Sequence, residues 1–314
     1  MKFKKEYLIL VLVIVALSLY LVMRSKDQAH FELPELAAVE SKTINRLVIT
    51  RAGKAIELNK KDARWYITPG DYPADDIKVN NMLKAAADLT VSALVSESQN
   101  YQRYDLDADK KIGLQALAGN DLLRGIDIGR VAPTFQHTFV RLDGDTRVYH
   151  ARGNINRTFD QTGAELRDKD VLNFASDAIT SLTIQKGARS LALEKKETPA
   201  QEEKGEVEQP PKIEWLAADG QAADVDSVQK LLDGFSTVKC DGYLPDDATT
   251  KLNAALWTVN FTAGDKTHSL SLFAAPDAEA DQYPATSADS DYAFLLNMSR
   301  VETFEKQIDA LLGK

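Results

Sequence analysis

One cysteine, Cys240, stands in a chain of 314 residues. A lone thiol excludes an intramolecular disulfide and a cysteine-based zinc site. Because no cysteine follows the apolar segment near the N-terminus, it also excludes a lipoprotein anchor. Histidine is nearly as scarce, and His30, His137, His150 and His268 show no H-E-x-x-H or comparable ligand spacing. No G-x-S-x-G elbow, phosphate loop or dinucleotide glycine pattern occurs. No residue cluster therefore dictates chemistry, and the sequence reads as a non-enzyme with no cofactor and no metal. A hydrolase built from scattered Ser, His and Asp stays open as an alternative, since such triads converge only in space. Positive charge is short as well. The chain carries a net −9, and its first 26 residues hold Lys2, Lys4, Lys5, Arg24 and Lys26 against Glu6 alone, so the remainder is more acidic still. An acidic surface repels phosphate backbones and disfavours nucleic acid as a partner.

What is present is ordinary globular material, 44% hydrophobic and 27% charged, in a chain long enough for two domains. Tyr7 to Met23 carries no charge and as a helix would rise roughly 25 Å, near the thickness of a hydrocarbon core. Residues 1–26 are therefore expected to form a transmembrane anchor; a cleaved signal peptide is the rival reading. The slight basic excess before the span places the N-terminus in the cytoplasm, and the rest outside the inner membrane in the periplasm. Residues 27–43, polar and containing Pro34, read as a stalk.

Beyond the stalk the chain says nearly the same thing twice. Ile44, Leu47 and Ile49 recur as Ile179, Leu182 and Ile184, and Ile56 and Leu58 recur as Leu191 and Leu193, all at one offset. Each copy opens with an alternating strand, a glycine turn and a second strand. A tryptophan strand follows, around Trp65 or Trp215, then Ala-Asp, at Ala74-Asp75 or Ala223-Asp224, ahead of an amphipathic helix. KIGLQAL and LLRGIDIG answer LWTVNF and HSLSLF, and Phe139 and Val140 answer Ala293 and Phe294. A closing helix is expected over Ala164 to Ala178 in the first copy. In the second it is expected over Ser299 to Leu312, capped by Ser299 and Glu302. The expected fold class is α+β: two tandem pseudo-repeated units of largely antiparallel sheet with packed helices, residues 44–178 and 179–314, preceded by one transmembrane helix. Residues 195–212, rich in Glu, Lys and Pro, read as a mobile insertion in the second unit. The acidic stretch Asp277 to Asp291 reads as a loop replacing the first copy's strand at Arg147 to Ala151.

Several side chains invite a chemical reading, each with a plainer one beside it. Asp105, Asp107 and Asp109 alternate like the start of a calcium loop, but Lys110 stands where that loop needs glycine and Ala116 where it needs glutamate, which leaves a solvated turn. Asp277, Glu279, Asp281, Asp289 and Asp291 could surround a cation or simply be wet. His137 and His150 lie on adjacent expected strands and lack a third ligand. Trp65 and Trp215, equivalent in the two copies, read as core rather than ligand platform. Arg167 and Asp168 read as a pairing and a capping residue.

The order of strand, hairpin, tryptophan and Ala-Asp-helix resembles the bacterial domain of unknown function 4340 family. So do the Tyr-x-Leu-Asp at Tyr104 to Asp107 and the Leu-Arg-Asp-Lys at Leu166 to Lys169. Asp105 departs from the family pattern, which has glycine there. The resemblance implies a membrane-anchored extracytoplasmic protein encoded beside ABC-type transporters, with no assigned activity and no catalytic residues to carry over. The expected function is a non-enzymatic binding or scaffold protein accessory to an ABC-type membrane transport system, with transporter subunits and the membrane as partners. The alternatives are a receptor holding a small molecule or glycan between the repeats, and an envelope hydrolase.

Overall fold

The computed structural model describes residues 11–20, 33–198, 212–248, 252–275 and 280–313. The expected fold class is corrected at its start. Among the described residues no helix is long and apolar enough to cross a membrane. Of the expected span, residues 11–20 are helical and belong to α1. The rest of Tyr7 to Met23 lies outside the described residues. What remains is mostly antiparallel sheet, 44% strand against 24% helix, so sheet rather than helix sets the architecture. The expected stalk also does more than span a gap: Leu36 and Val39 pack against the first core, and the Ala37 carbonyl accepts from Arg124 Nη2 at 2.7 Å.

The chain divides into two compact units, Met1–Leu166 and Arg167–Lys314. The first contains β1 (Arg46–Arg51), β2 (Lys54–Lys61), β3 (Arg64–Thr68), β4 (Tyr72–Pro73), α2 (Asp76–Ala87), β5 (Val91–Ser96), β6 (Ile112–Ala118), β7 (Asp121–Val131), β8 (His137–Leu142), β9 (Val148–Arg152), α3 (Asn156–Phe159) and α4 (Gly163–Leu166). The second contains β10 (Asp170–Asn173), β11 (Ser181–Lys186), β12 (Arg189–Thr198), β13 (Lys212–Ala217), α5 (Val225–Phe235), β14 (Thr237–Lys239), β15 (Gly242–Tyr243), β16 (Trp257–Ala263), β17 (Lys266–Leu272), β18 (Gln282–Ser287), β19 (Ser290–Asn297) and α6 (Met298–Leu312).

The sheets run in one order. The first is β4-β3-β2-β1-β6-β7-β8-β9-β5 and the second is β13-β12-β11-β16-β17-β18-β19-β15, so that every strand of the first sheet except β4 has a counterpart in the second; β10 and β14 form a separate two-stranded sheet. Register agrees as well. Leu47 sits opposite Leu58 and Ala116, and Leu182 sits opposite Leu193 and Phe261. Because side chains alternate along a strand, this register sends Leu47, Ile49, Leu182 and Ile184 to the core faces. Trp65 and Trp215 are both buried, and their carbonyls accept from Ala74 N at 2.9 Å and Ala223 N at 2.8 Å. The next residue caps the helix in each unit: Asp75 accepts from the Ile77 and Lys78 amides, Asp224 from that of Ser227. The apolar face of each helix, Val79, Met82, Leu83 and Ala86 or Val228, Leu231, Leu232 and Phe235, closes its core.

The later elements correct the sequence reading. Residues 164–178 do not form one closing helix. Only Gly163–Leu166 is α-helical, capped reciprocally by Thr162 and Glu165, with a single 3-10 turn at Ser176–Ala178; between them β10 pairs with β14 while Val171, Leu172 and Phe174 join the second core. The apolar spacing suits either a helix or a strand, and cross-strand pairing decides it. Ala293 and Phe294 lie on β19, the counterpart of β9, so His150 and Tyr149 on β9, rather than Phe139 and Val140 on β8, belong to the matching strand, and Tyr149 is the partner of Phe294; each faces the preceding strand, at Val140 and Ala285. The acidic stretch before Asp291 is therefore largely a hairpin, with Asp277 and Glu279 outside the described residues. Of residues 195–212, Lys195 to Thr198 and Lys212 are strand, and 199–211 lie outside the described residues. The cap of α6 is Asn297, which accepts from Arg300 N at 3.0 Å, so Ser299 sits inside the helix.

If the two units use one scaffold, losing either cap should have the same effect. Asp75→Ala and Asp224→Ala are each expected to lower stability by about 1 kcal/mol, read as matching downward shifts in the urea midpoint of their own unit by hydrogen exchange.

Candidate functional site

In the first unit one sheet face is covered by α2 and its core, and the other carries an open trough of about 580 Å³. Its floor is a row of residues directly opposite one another on four strands: Thr50, Gly113, Asp127 and Arg141. Asp127 joins two cations. Lys111 Nζ lies 3.0 Å from Oδ1, and Arg141 donates to Oδ2 through Nε at 3.1 Å and through Nη2. The Arg141 guanidinium also lies 4.6 Å over the Tyr101 ring, whose hydroxyl donates to the Thr146 carbonyl at 3.0 Å. Burial works against the Arg141 charge, but the hydrogen bond and charge of Asp127, with help from Tyr101, leave its pKa raised. At the rim Arg147 holds the Asp145 carboxyl well below the usual carboxylate range, against the pull of burial, and Tyr149 donates to the same carboxylate at 2.8 Å. Burial, with the Asp145 carboxylate beside it, pushes the Tyr149 hydroxyl up to about 12. Gly113 keeps the floor low without steric need: a methyl there would find its nearest neighbours at 3.6 Å or beyond.

The turn beside the trough holds the Tyr104 to Asp107 motif. Asp105 adopts the left-handed conformation, φ 56°, which explains why glycine suits this position and why aspartate, tolerant of that region, can replace it. The turn crosses close over Gly129, where a Cβ would stand 2.2 Å from the Tyr104 carbonyl oxygen. Asp105 is paired with Lys110 Nζ at 3.0 Å, so its carboxylate is engaged by the lysine that stands where a calcium loop needs glycine. Among the described residues no group of three or more His, Cys, Asp or Glu is placed to hold a metal.

His137 and His150 come together, their rings stacked with centroids 5.2 Å apart, and Phe139 packs on His150 at 5.0 Å. Burial, with the His137 charge adding to it, lowers the His150 pKa. In the second unit buried His268 pairs through Nδ1 with Asp289 Oδ2 at 2.6 Å, under Phe174. Lys266 Nζ reaches the other oxygen at 3.1 Å. A histidine–carboxylate pair is also part of a hydrolytic site, but this one ties β17 to the β18–β19 turn. The turn's neighbouring serines, Ser269 and Ser287, accept from the Ala288 and Asp289 amides. Sequence spacing could not find the pair, because His268 is on β17 and Asp289 is in the β18–β19 turn. His30 lies outside the described residues. Asp281 contributes its carbonyl to Met298 N at 2.8 Å.

The Leu166 to Lys169 motif is structural at each residue. Leu166 is fully buried in the first core, and Arg167 lies 3.7 Å from the centroid of Tyr243 and 4.7 Å from that of Tyr292. The Asp168 carbonyl accepts from the Tyr243 hydroxyl at 2.6 Å, and Lys169 donates to the Asp241 carbonyl at 2.9 Å. Cys240, buried beside them, has its thiol pKa pushed up by burial. Residues 65–255, which include Lys111, Asp127 and Arg141 of the trough, both motifs and both tryptophans, match the family described as Domain of unknown function (DUF4340). The chain belongs to this family. No curated protein and no solved structure matches it.

Register transfers the trough onto the second unit position by position. The row Thr50, Gly113, Asp127, Arg141 becomes Gln185, Thr258, Ser271, Thr286. Val48, Gln115 and Gly125 become Thr183, Asn260 and Ser269. There the outer face is a hydroxyl and amide ladder, with Thr258 bonded to Ser271 at 2.9 Å and Asn260 to Thr183 at 3.0 Å.

The His268–Asp289 brace carries a pH signature. Burial opposes the Asp289 charge, yet the hydrogen bonds from His268 and Lys266 leave its pKa lowered. A depressed carboxylate contributes stability above its unfolded value of about 3.9 and loses it as pH falls through the folded value. Asp289→Asn is therefore expected to lower the thermal midpoint at neutral pH, with the gap to the parent closing below about pH 4 in a series of thermal melts.

Proposed function

We propose that the protein is a non-enzymatic binding or scaffold protein on the extracytoplasmic side, accessory to an ABC-type membrane transport system, and that the first unit's outer sheet face is its recognition surface. One observation supports this above the others. The second unit builds the same four-strand row from Gln185, Thr258, Ser271 and Thr286, so the sheet itself does not need the charges of Lys111, Asp127 and Arg141 or the bare backbone of Gly113. Features that a shared scaffold does not require, gathered in a concave and partly charged patch, are those expected of a surface that meets a partner. Fixed ion pairs in such a patch set orientation and partner choice more than raw affinity.

The test transplants the second unit's residues into the first. Asp127→Ser with Arg141→Thr is expected to leave folding intact by circular dichroism. Crosslinked recovery of a transporter permease or ATPase subunit from cell membranes should fall about tenfold. Unchanged recovery of such a subunit with the transplanted face, or failure of the parent protein to recover any, would contradict the proposal.

A further inference from the structure

The closing helix is where the two units differ most. In the second unit α6 packs along α5, with Phe304 4.1 Å from Phe235 and Gln307 Nε2 donating to the Lys230 carbonyl at 3.1 Å. In the first unit Asn81 holds the position that Lys230 holds on α5, counted from the capping aspartates Asp75 and Asp224. The segment following β9 supplies two helices of four residues each, α3 beside α2 and α4 at its N-terminal end, in place of one long closing helix. The shortfall leaves a pocket of about 250 Å³ lined by Lys78, Asn81, Asn154, Arg157, Thr158 and Gln161.

Every one of these six side chains carries a hydrogen-bond donor, two are cations, and none is a carboxylate. In a chain of net charge −9 that composition runs against the background. The nearby acids are turned to other work: Asp160 pairs with Arg51, Glu165 accepts from Thr162, and Asp75 accepts from the first-turn amides of α2. Lys78 Nζ is steadied by the Glu165 carbonyl, and Gln161 bonds back to the Arg157 carbonyl at 3.3 Å, so the pocket walls are held while the exposed Arg157 guanidinium stands at the mouth. Cationic and amide side chains lining one pocket with no acid among them suit a compact oxyanion.

We infer that this pocket binds a phosphate group, carried either by a small soluble phosphomonoester or by an anionic lipid headgroup. The proposal is independent of the trough and of its partner. The experiment titrates the full chain with inorganic phosphate and with glycerol 3-phosphate by calorimetry, and sediments it with phosphatidylcholine vesicles with and without phosphatidylglycerol. Arg157→Gln removes a charge at the mouth, and Asn81→Asp adds a carboxylate to the exposed side of α2; thermal midpoints identify any variant that fails to fold. Saturable binding of the soluble phosphates, weakened about tenfold in both variants at unchanged midpoints, supports a soluble ligand. Retention on phosphatidylglycerol vesicles that is lost in both variants supports a headgroup. Absence of saturable binding in both arms, or equal binding by parent and variants, overturns the inference.

Discussion

β1 and β11 are hydrogen-bonded along both edges, and the rest of each unit is hung from them. A strand fixed on both sides cannot slip by one residue without turning Leu47 and Ile49, or Leu182 and Ile184, out of a closed core. That constraint sets the hairpin partner on one side and the five-strand run on the other. It also places the tryptophan strand so that its carbonyl receives the amide just before the helix cap. The matching hydrogen bonds, Asn45 N to Leu117 O at 3.0 Å and Thr180 N to Thr262 O at 2.8 Å, extend the identity of the copies beyond side-chain pattern to backbone geometry.

A duplicated scaffold gives an internal control. Where both units keep a feature, packing explains it: the buried tryptophans, the capping aspartates and the four apolar residues on each helix. Where one unit departs while the fold stays the same, packing does not explain the departure. The trough and the pocket beside α2 are both departures of this kind, and both belong to the first unit. The second unit instead spends its differences on filling: α6 closes over α5, and Arg167 is enclosed between two tyrosine rings.

The opening third of each unit was legible in the sequence because strict alternation, a glycine turn and an Asp before an apolar helix face are local signals. The ends were less legible. Residues 170–173 carry an apolar pair that fits a helix or a strand equally, and only pairing with β14 selects the strand. Asn297 and Ser299 are both good caps, and the chain uses the earlier one. The β18–β19 hairpin hid behind its acidic residues, because Asp289 is held by His268 and Lys266 and so sits on a strand turn as easily as in a loop. The trough could not be read at all from spacing: Lys111, Asp127 and Arg141 meet only through register. The membrane-spanning helix expected from composition has no counterpart among the described helices, none of which is long and apolar enough to cross a membrane.

The central claim is that one fold was used twice and that the first copy's outer face alone meets the partner. Gln115 and Asn260 occupy the same register position on that face in the two units. A photo-crosslinking residue placed at each in turn, in intact cells, puts the claim to its most direct test. Capture of a transporter permease or ATPase subunit is expected from position 115 and not from position 260; equal capture from both, or capture from 260 alone, would contradict a partner surface confined to the first copy.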